Sequence, residues 1–342
     1  MESVAAAIDK QTGQSGFSGV ITISIDGKHA FGRAYGLANR SDSISNAVST
    51  RFALASGSKL FTAIAVCRLV QDGKLTYETR LKDCLDIRFE HFHPDVTVYH
   101  LLTHTSGIPD YWDERTQDYE QLWRDRPAYS ITSPSDFLPM FQHLRMLTAP
   151  GETFRYNDAG FNVLGLIIEK VSGARFQDFV HQSVLEPAGM DRSGYFSIDQ
   201  LPPDTASGYI EDDEDNWRTN IFAVPRIGTP DGGAYATASD LDLFWSSLLG
   251  NRLLSEKTTQ ALLTPQFKAE DEGDDVHYGL GVWIRVSDGE PSSCYITGWD
   301  PGVNMLSEIF LEQKVTMTIL GNTNRPILPI REAIIGTLPQ LN

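Results

Sequence analysis

Phe52-Ala53-Leu54-Ala55-Ser56-Gly57-Ser58-Lys59-Leu60-Phe61-Thr62-Ala63 is the stretch on which the fold of this chain turns. It sets a hydroxyl and an amine three residues apart at the start of an apolar segment, 60–70, that closes at Asp72-Gly73. Residues three apart on a helix share a face, which puts Lys59 beside the Ser56 oxygen. At a helix start the free backbone N–H groups and the helix dipole favour a developing negative charge. Such a pair can activate a serine with no histidine. Lys59 is the only lysine of the chain with a serine three residues before it. The apolar residues of 60–70 fall on nearly every helical face, which predicts a centrally buried helix.

Before this helix the pattern reads as a short helix over 3–10 and then a strand. Ile21, Ile23 and Ile25 alternate with Thr22, Ser24 and Asp26, Asp26-Gly27 is a two-residue hairpin signal, and Phe31, Arg33 and Tyr35 alternate on the return. After it comes a long helical and loop-rich middle. Ser133-Pro134 with Asp136 predicts an N-cap and a first-turn proline, 158–171 a helix stopped near Gly173, Ser239 with Asp242 a helix ending at Gly250, and 255–263 another. Strand patterns return at 278–286, 295–297, 303–310 and 315–320, before a last helix over 329–338. Strands at both ends around a helical middle predict an α/β (α+β) fold: one antiparallel sheet assembled from both termini, flanked by helices, with a helical subdomain inserted. The expected organisation is one domain, 1–342, with its α/β part at 1–75 and 255–342 and the insertion at 76–254.

At 342 residues and 41% hydrophobic the chain can bury a large core. No apolar run reaches the roughly 18–20 residues of a membrane span, and the first residues lack the pattern of a secretory signal, which points to the cytoplasm. Cys67, Cys84 and Cys294 are odd in number and show no metal-like spacing, which suits a reducing compartment. A net charge of −17 argues against a nucleic-acid partner. Two acidic runs, 211–215 and 270–275, lack the pattern of a calcium loop and read as solvated surface.

A helix-start serine needs a base, an oxyanion site and a proton path to the leaving group. Tyr156-Asn157-Asp158 follows Pro150-Gly151-Glu152 and opens an apolar helix. An adjacent lysine ammonium lowers a tyrosine pKa, so Tyr156 is a candidate base and later acid. Alone, it reads as a loop tyrosine packing its ring. Ile296-Thr297-Gly298-Trp299 ends a predicted strand, where a glycine permits close backbone approach. There the Trp299 N–H can pair with that of Ser56 as an oxyanion hole.

Together these segments resemble the serine β-lactamase and penicillin-binding protein superfamily, especially its class C-like, esterase-like branch. Besides the Ser56 segment, Leu101-Leu102-Thr103-His104-Thr105-Ser106-Gly107-Ile108-Pro109 is similar to the family's LLTHTSGLP loop. The segment from Pro150-Gly151 through Tyr156 to Gly165 and the stretch Asp231-Gly232-Gly233-Ala234-Tyr235-Ala236-Thr237-Ala238-Ser239-Asp240 also match family segments, in the expected order. The resemblance covers about residues 17–325. It implies a β-lactamase/transpeptidase-like fold and a serine hydrolase that forms an acyl-enzyme at Ser56 without metal or organic cofactor. By the same analogy Lys59 and Tyr156 share the proton work beside Asp158, and Ser56 and Trp299 with Thr297 and Gly298 form the oxyanion and substrate-binding edge.

Two positions depart from the family pattern. Asp158 stands where asparagine is usual; its carboxylate near Lys59 would favour the charged amine and move the base role toward Tyr156, and a cap on the helix it opens is a second reading compatible with the first. Ile296 stands where lysine or histidine is expected, which predicts weak recognition of penicillins and of peptides ending in a free carboxylate. Arg226 or Arg325 are the cations that would compensate. The leading expectation is an esterase or amidase acting on a small acyl compound. The alternatives are a penicillin-binding DD-peptidase or β-lactamase, and a non-catalytic binding or regulatory module. The partner class is a small-molecule ester, amide or β-lactam, and the motifs specify neither the acyl chain, the leaving group nor an oligomeric state. His91, His93, His100 and His104 lack the H-E-x-x-H pattern of a zinc protease, and no G-x-S-x-G elbow or nucleotide-binding glycine fingerprint is present. His104 reads as a structural hydrogen-bonding residue of its loop.

Overall fold

The computed structural model describes residues 1–112, 119–124, 126–212, 214 and 216–341. Among them an eight-stranded antiparallel sheet forms the centre, drawn from both chain ends. Its strands are β1 (Gly19–Ile25), β2 (Lys28–Tyr35), β3 (Phe267–Lys268), β4 (Val276–Tyr278), β5 (Trp283–Ser287), β6 (Glu290–Asp300), β7 (Val303–Phe310) and β8 (Val315–Gly321), in the order β2-β1-β8-β7-β6-β5-β4-β3. The register of β1 against β8, from Gly19 opposite Gly321 to Ile25 opposite Val315, joins the N-terminal hairpin to the C-terminal strands. Asp26 and Gly27 both take positive φ, 49° and 70°, as the two-residue hairpin turn requires.

Helices cover both faces. On one, α1 (Glu2–Ser15) and α6 (Leu328–Ile335) pack Val4, Ile8, Ile330 and Ile334 onto Ile21, Ile23, Met317 and Ile319. On the other lie α2 (Lys59–Gln71), α3 (Asp158–Ser172), α4 (Ala238–Leu249) and α5 (Glu256–Leu263), which share a core with Val20, Ile284, Ile296, Met305 and Leu320. Ten of the thirteen residues of α2 are buried, as its all-round apolar pattern demands of a helix lying between sheet and outer helices.

Local details differ from expectation. The run 278–286 is a hairpin of two strands, β4 and β5, because Gly279-Leu280-Gly281 turns the chain between Tyr278 and Trp283. Thr22 and Ser24 do not face water: both are buried, since helices cover that face too, and Ser24 Oγ donates to Asp242 on α4 at 2.6 Å. Asp242 is therefore spent on the sheet, and Thr237 caps α4 in place of Ser239 by accepting from the Asp240 N–H. Glu211 is not a solvated charge; it pairs with Arg40 and with Arg325, the latter at 2.7 Å. Asp213 and Asp215 of that run lie outside the described residues. Cys67, Cys84 and Cys294 are buried free thiols. No described helix is long and apolar enough to cross a membrane.

Candidate active site

Ser56 lies in a 3-10 turn, Ala55–Ser58, that runs directly into α2. The turn is strained at its entry, because Ala55 is fully buried with φ 45°, left-handed for a residue with a Cβ. Three contacts hold it there. The Ala55 carbonyl accepts from Ser58 Oγ at 2.8 Å and from the Gly233 N–H at 3.1 Å, and the Leu54 N–H donates to the Ala234 carbonyl at 2.8 Å. The segment 230–236 is thus stitched to the Ser56 turn, and Thr62 Oγ1 on α2 adds a 2.6 Å bond to the Pro230 carbonyl.

Lys59 emerges at the first residue of α2, almost wholly buried, with its Nζ 2.9 Å from Ser56 Oγ. The same ammonium donates to the Asp231 carbonyl at 2.5 Å and meets the Asp158 carboxylate at 2.6 Å. Burial alone would strip its proton, but Asp158, Tyr156 and Asp231 together outweigh that and hold its pKa well above the ordinary lysine value. Lys59 therefore rests as a charged donor to Ser56.

Tyr156 is positioned from the opposite side. Its ring centre lies 5.0 Å from Lys59 Nζ, and the ring stacks on Trp283 at 5.8 Å and lies 4.4 Å from the His104 ring. The expected lowering of its pKa by Lys59 is overturned. Burial, reinforced by Asp158, outweighs the ammonium and pushes the phenol up to about 12. Asp158 is not the helix cap either. Asn157 caps α3 by accepting from the Gly160 N–H at 2.6 Å, and Asp110 accepts from the Asp158 and Ala159 N–H groups at 2.7 and 3.0 Å. With its own N–H supplied by Asp110, the Asp158 side chain is available to Lys59.

His104 holds this corner together. Its Nδ1 accepts from the Asn157 N–H at 3.1 Å, which leaves Nε2 to donate to the Tyr278 hydroxyl at 3.1 Å. Burial, then the Lys59 charge, keep its pKa well below 6.5, so it is neutral in the folded protein. The unfolded chain takes up that proton below about pH 6.5, while the native state does not. The His104 contribution is thus complete above that pH and lost as pH falls toward the native pKa. The acid-side loss of urea-unfolding stability should be smaller in His104→Asn than in the wild type. An unchanged pH slope would remove His104 as its source. His100, by contrast, sits in a capping box with Thr97, apart from these bonds.

β6 closes the site. An added Cβ at Gly298 would lie 2.2 Å from the Leu54 carbonyl and 3.0 Å from the Ser56 nitrogen, so only glycine lets the strand press against the Ser56 turn. Ile296 is buried with Met305 against Gly57 and lies under the turn. Thr297 Oγ1 donates to the Met305 carbonyl at 3.0 Å. Trp299 stands exposed at the mouth of a cleft that is also lined by Ser56, Asp158, Asp231 and Asp300. Arg226 lines its rim beside Asp199, whereas Arg325 is paired with Glu211.

Sequence reading gave no role to Asp231, Asp300, Tyr111 or Asp110. Asp231 is buried, accepting from the Tyr111 hydroxyl at 2.6 Å and from Thr229 Oγ1 at 2.7 Å. Loss of hydration and the nearby Asp158 raise its pKa, and the same causes push Asp300 up to about 7. The usable signal was position: Asp110 follows the Ser106-Gly107-Ile108-Pro109 loop, Asp231 opens its glycine pair, and Asp300 follows Gly298-Trp299.

The protein-family model described as Beta-lactamase matches residues 4–335. A penicillin binding protein from Bacillus halodurans of solved structure is 44% identical, with a TM-score of 0.91 over 96% of this chain and 99% of that one. Penicillin-binding protein 4* of Bacillus subtilis (strain 168) is 27% identical over 323 residues, 90% of this chain and 68% of the relative. The D-stereospecific amidohydrolase from Streptomyces sp. shares the fold, at 20% identity and a TM-score of 0.81 over 96% of this chain and 97% of its own. With a family match over nearly its whole length, and with a serine, a lysine and a tyrosine converging at one cleft, this chain belongs to the beta-lactamase family and is a serine hydrolase of that fold.

Proposed function

We propose that this hydrolase is an esterase or amidase that acylates Ser56 with small acyl substrates lacking a free carboxylate. The observation that carries this reading is Ile296. At position 296 of β6, where a carboxylate-reading member of the family has a cation, stands an apolar side chain buried on Met305 and Gly57. The exposed Arg226 is at the cleft rim, next to Asp199.

In the proposed reaction the substrate carbonyl oxygen lies between the backbone N–H groups of Ser56 and Trp299, at the start of the helical segment, where developing negative charge is favoured. Tyr156, deprotonated beside the Lys59 ammonium, takes the Ser56 proton as Oγ attacks and returns it to the leaving group. Water then enters with Tyr156 again as the base, releasing the acid and restoring Ser56. Gly298→Ala should slow acylation by roughly 10²-fold, because the added methyl displaces the strand from the nucleophile turn by a large part of an ångström. Stopped-flow burst kinetics measure this, and an unchanged burst rate would separate Gly298 from the oxyanion edge.

The reading is tested by incubating wild type and Ser56→Ala with a fluorophosphonate and with a fluorescent penicillin, followed by intact mass spectrometry. p-Nitrophenyl esters and a chromogenic cephalosporin are assayed in parallel. The expected result is a fluorophosphonate adduct lost in Ser56→Ala, with ester turnover well above cephalosporin turnover. Cephalosporin turnover rivalling the ester would make the protein a β-lactamase. No adduct from either reagent would make it a binding module.

A further inference from the structure

We infer that Asp300 is a specificity-determining residue that receives a substrate ammonium group, so that the preferred substrates are esters or amides of amino acids with a free amine. This rests on the serine-hydrolase reading of the same cleft.

The argument starts from the pleat. Residues two apart on a strand point to one face, and the Cβ direction of Gly298 runs into the Ser56 turn. Ile296 reaches Gly57 from the same face. Asp300 therefore projects on the Ser56 side as well, roughly 6–7 Å along the strand from Gly298 at the usual rise, and it lines the cleft with Ser56. Along this face the charge pattern is inverted from a carboxylate-binding edge: apolar at 296, open at 298, acidic at 300.

The acids of the cleft are not equivalent. Asp158 is paired with Lys59, and Asp231 is satisfied by Tyr111 and Thr229. Asp300 is half-buried and, among the described residues, makes no ion pair or side-chain hydrogen bond. The only cation lining the cleft among the described residues is Arg226, at the rim beside Asp199. A carboxylate next to the strand that cradles an oxyanion opposes the charge that develops there. A bound ammonium cancels that opposition and makes a charge-assisted hydrogen bond with it. The raised pKa of Asp300 agrees with a carboxylate that lacks its counter-ion in the free protein.

The test compares alanine p-nitroanilide, in both enantiomers, with N-acetylalanine p-nitroanilide, in wild type, Asp300→Asn and Asp300→Lys, with thermal melts to verify folding. p-Nitrophenyl acetate and fluorophosphonate labelling of wild type report the serine independently. Wild type should favour the free amine in kcat/KM. In Asp300→Asn the ratio of amine to acetylated substrate should fall roughly 10- to 100-fold, the weight of a hydrogen bond to a charged group; Asp300→Lys should reverse the preference. Wild type that cleaves the acetylated anilide as well as the amine, or neither anilide while still turning over the ester, overturns the inference and leaves the serine-hydrolase reading standing. A ratio unchanged in both folded variants overturns it too. If neither variant folds, the wild-type preference alone decides. Failure of Ser56 to label or turn over any ester sinks both readings.

Discussion

Tyr156→Phe is expected to lower kcat/KM for p-nitrophenyl esters by ~10²- to 10⁴-fold, the usual weight of a positioned acid–base group, and to flatten the pH dependence. Lys59 cannot take the Ser56 proton while Asp158, at 2.6 Å, keeps it an ammonium. Tyr156 must therefore lose its own proton first, from a pKa raised to about 12. Because that value lies above the assay range, the active fraction grows with pH, and log kcat/KM should climb with a slope near one between about pH 7 and 9. Asp158 raises both Lys59 and Tyr156, so Asp158→Asn should move the climbing limb to lower pH. Near-normal acylation in Tyr156→Phe together with its abolition in Asp158→Asn would instead make the carboxylate the base.

Arg331→Met should lower unfolding stability by about 3–5 kcal/mol, as expected when one partner of a buried pair is removed. Glu308 on β7 is wholly buried, and Arg331 on α6 grips it with two bonds of 2.7 and 2.9 Å. Ser293 Oγ donates to the same carboxylate at 2.7 Å, and Arg285 stands 3.5 Å away. Loss of Arg331 leaves the charge with only that more distant cation, and the helix loses its polar anchor to the sheet. Glu308→Leu with Arg331→Met should recover much of the loss, since neither charge is then buried alone. Urea-unfolding midpoints measure both. A single variant within about 0.5 kcal/mol of wild type, the range of an ordinary surface change, would show that the pair does not hold α6.

The features legible in the sequence were those encoded over short spans. The Ser56–Lys59 spacing, the hairpin at Asp26-Gly27 and the all-round burial of α2 each rest on periodicity or turn chemistry within a few residues, and the pairing of both chain ends follows from where such strand patterns fall along the chain. Local signals misled where a neighbour distant in sequence competes for the same group. Asp242 was expected to serve its own helix and instead bonds Ser24, 218 positions away. Of the two roles expected for Asp158, the local one of capping α3 falls to Asn157 and Asp110, which leaves its side chain for Lys59.

The sequence by itself determined that a serine and a lysine sit three residues apart at the entry to a buried helix, and that β6 approaches them through a glycine. Only the tertiary structure decided the charge of that pair and what faces it. Proton affinity sums burial and every nearby charge. Those around Lys59 come from Tyr156, Asp158 and Asp231, brought together by the packing of α2, α3 and the 230–236 segment. The same convergence turned Tyr156 from an expected phenolate into a phenol, and set Asp300 in the cleft beside Ser56 with, among the described residues, no ion pair or side-chain hydrogen bond.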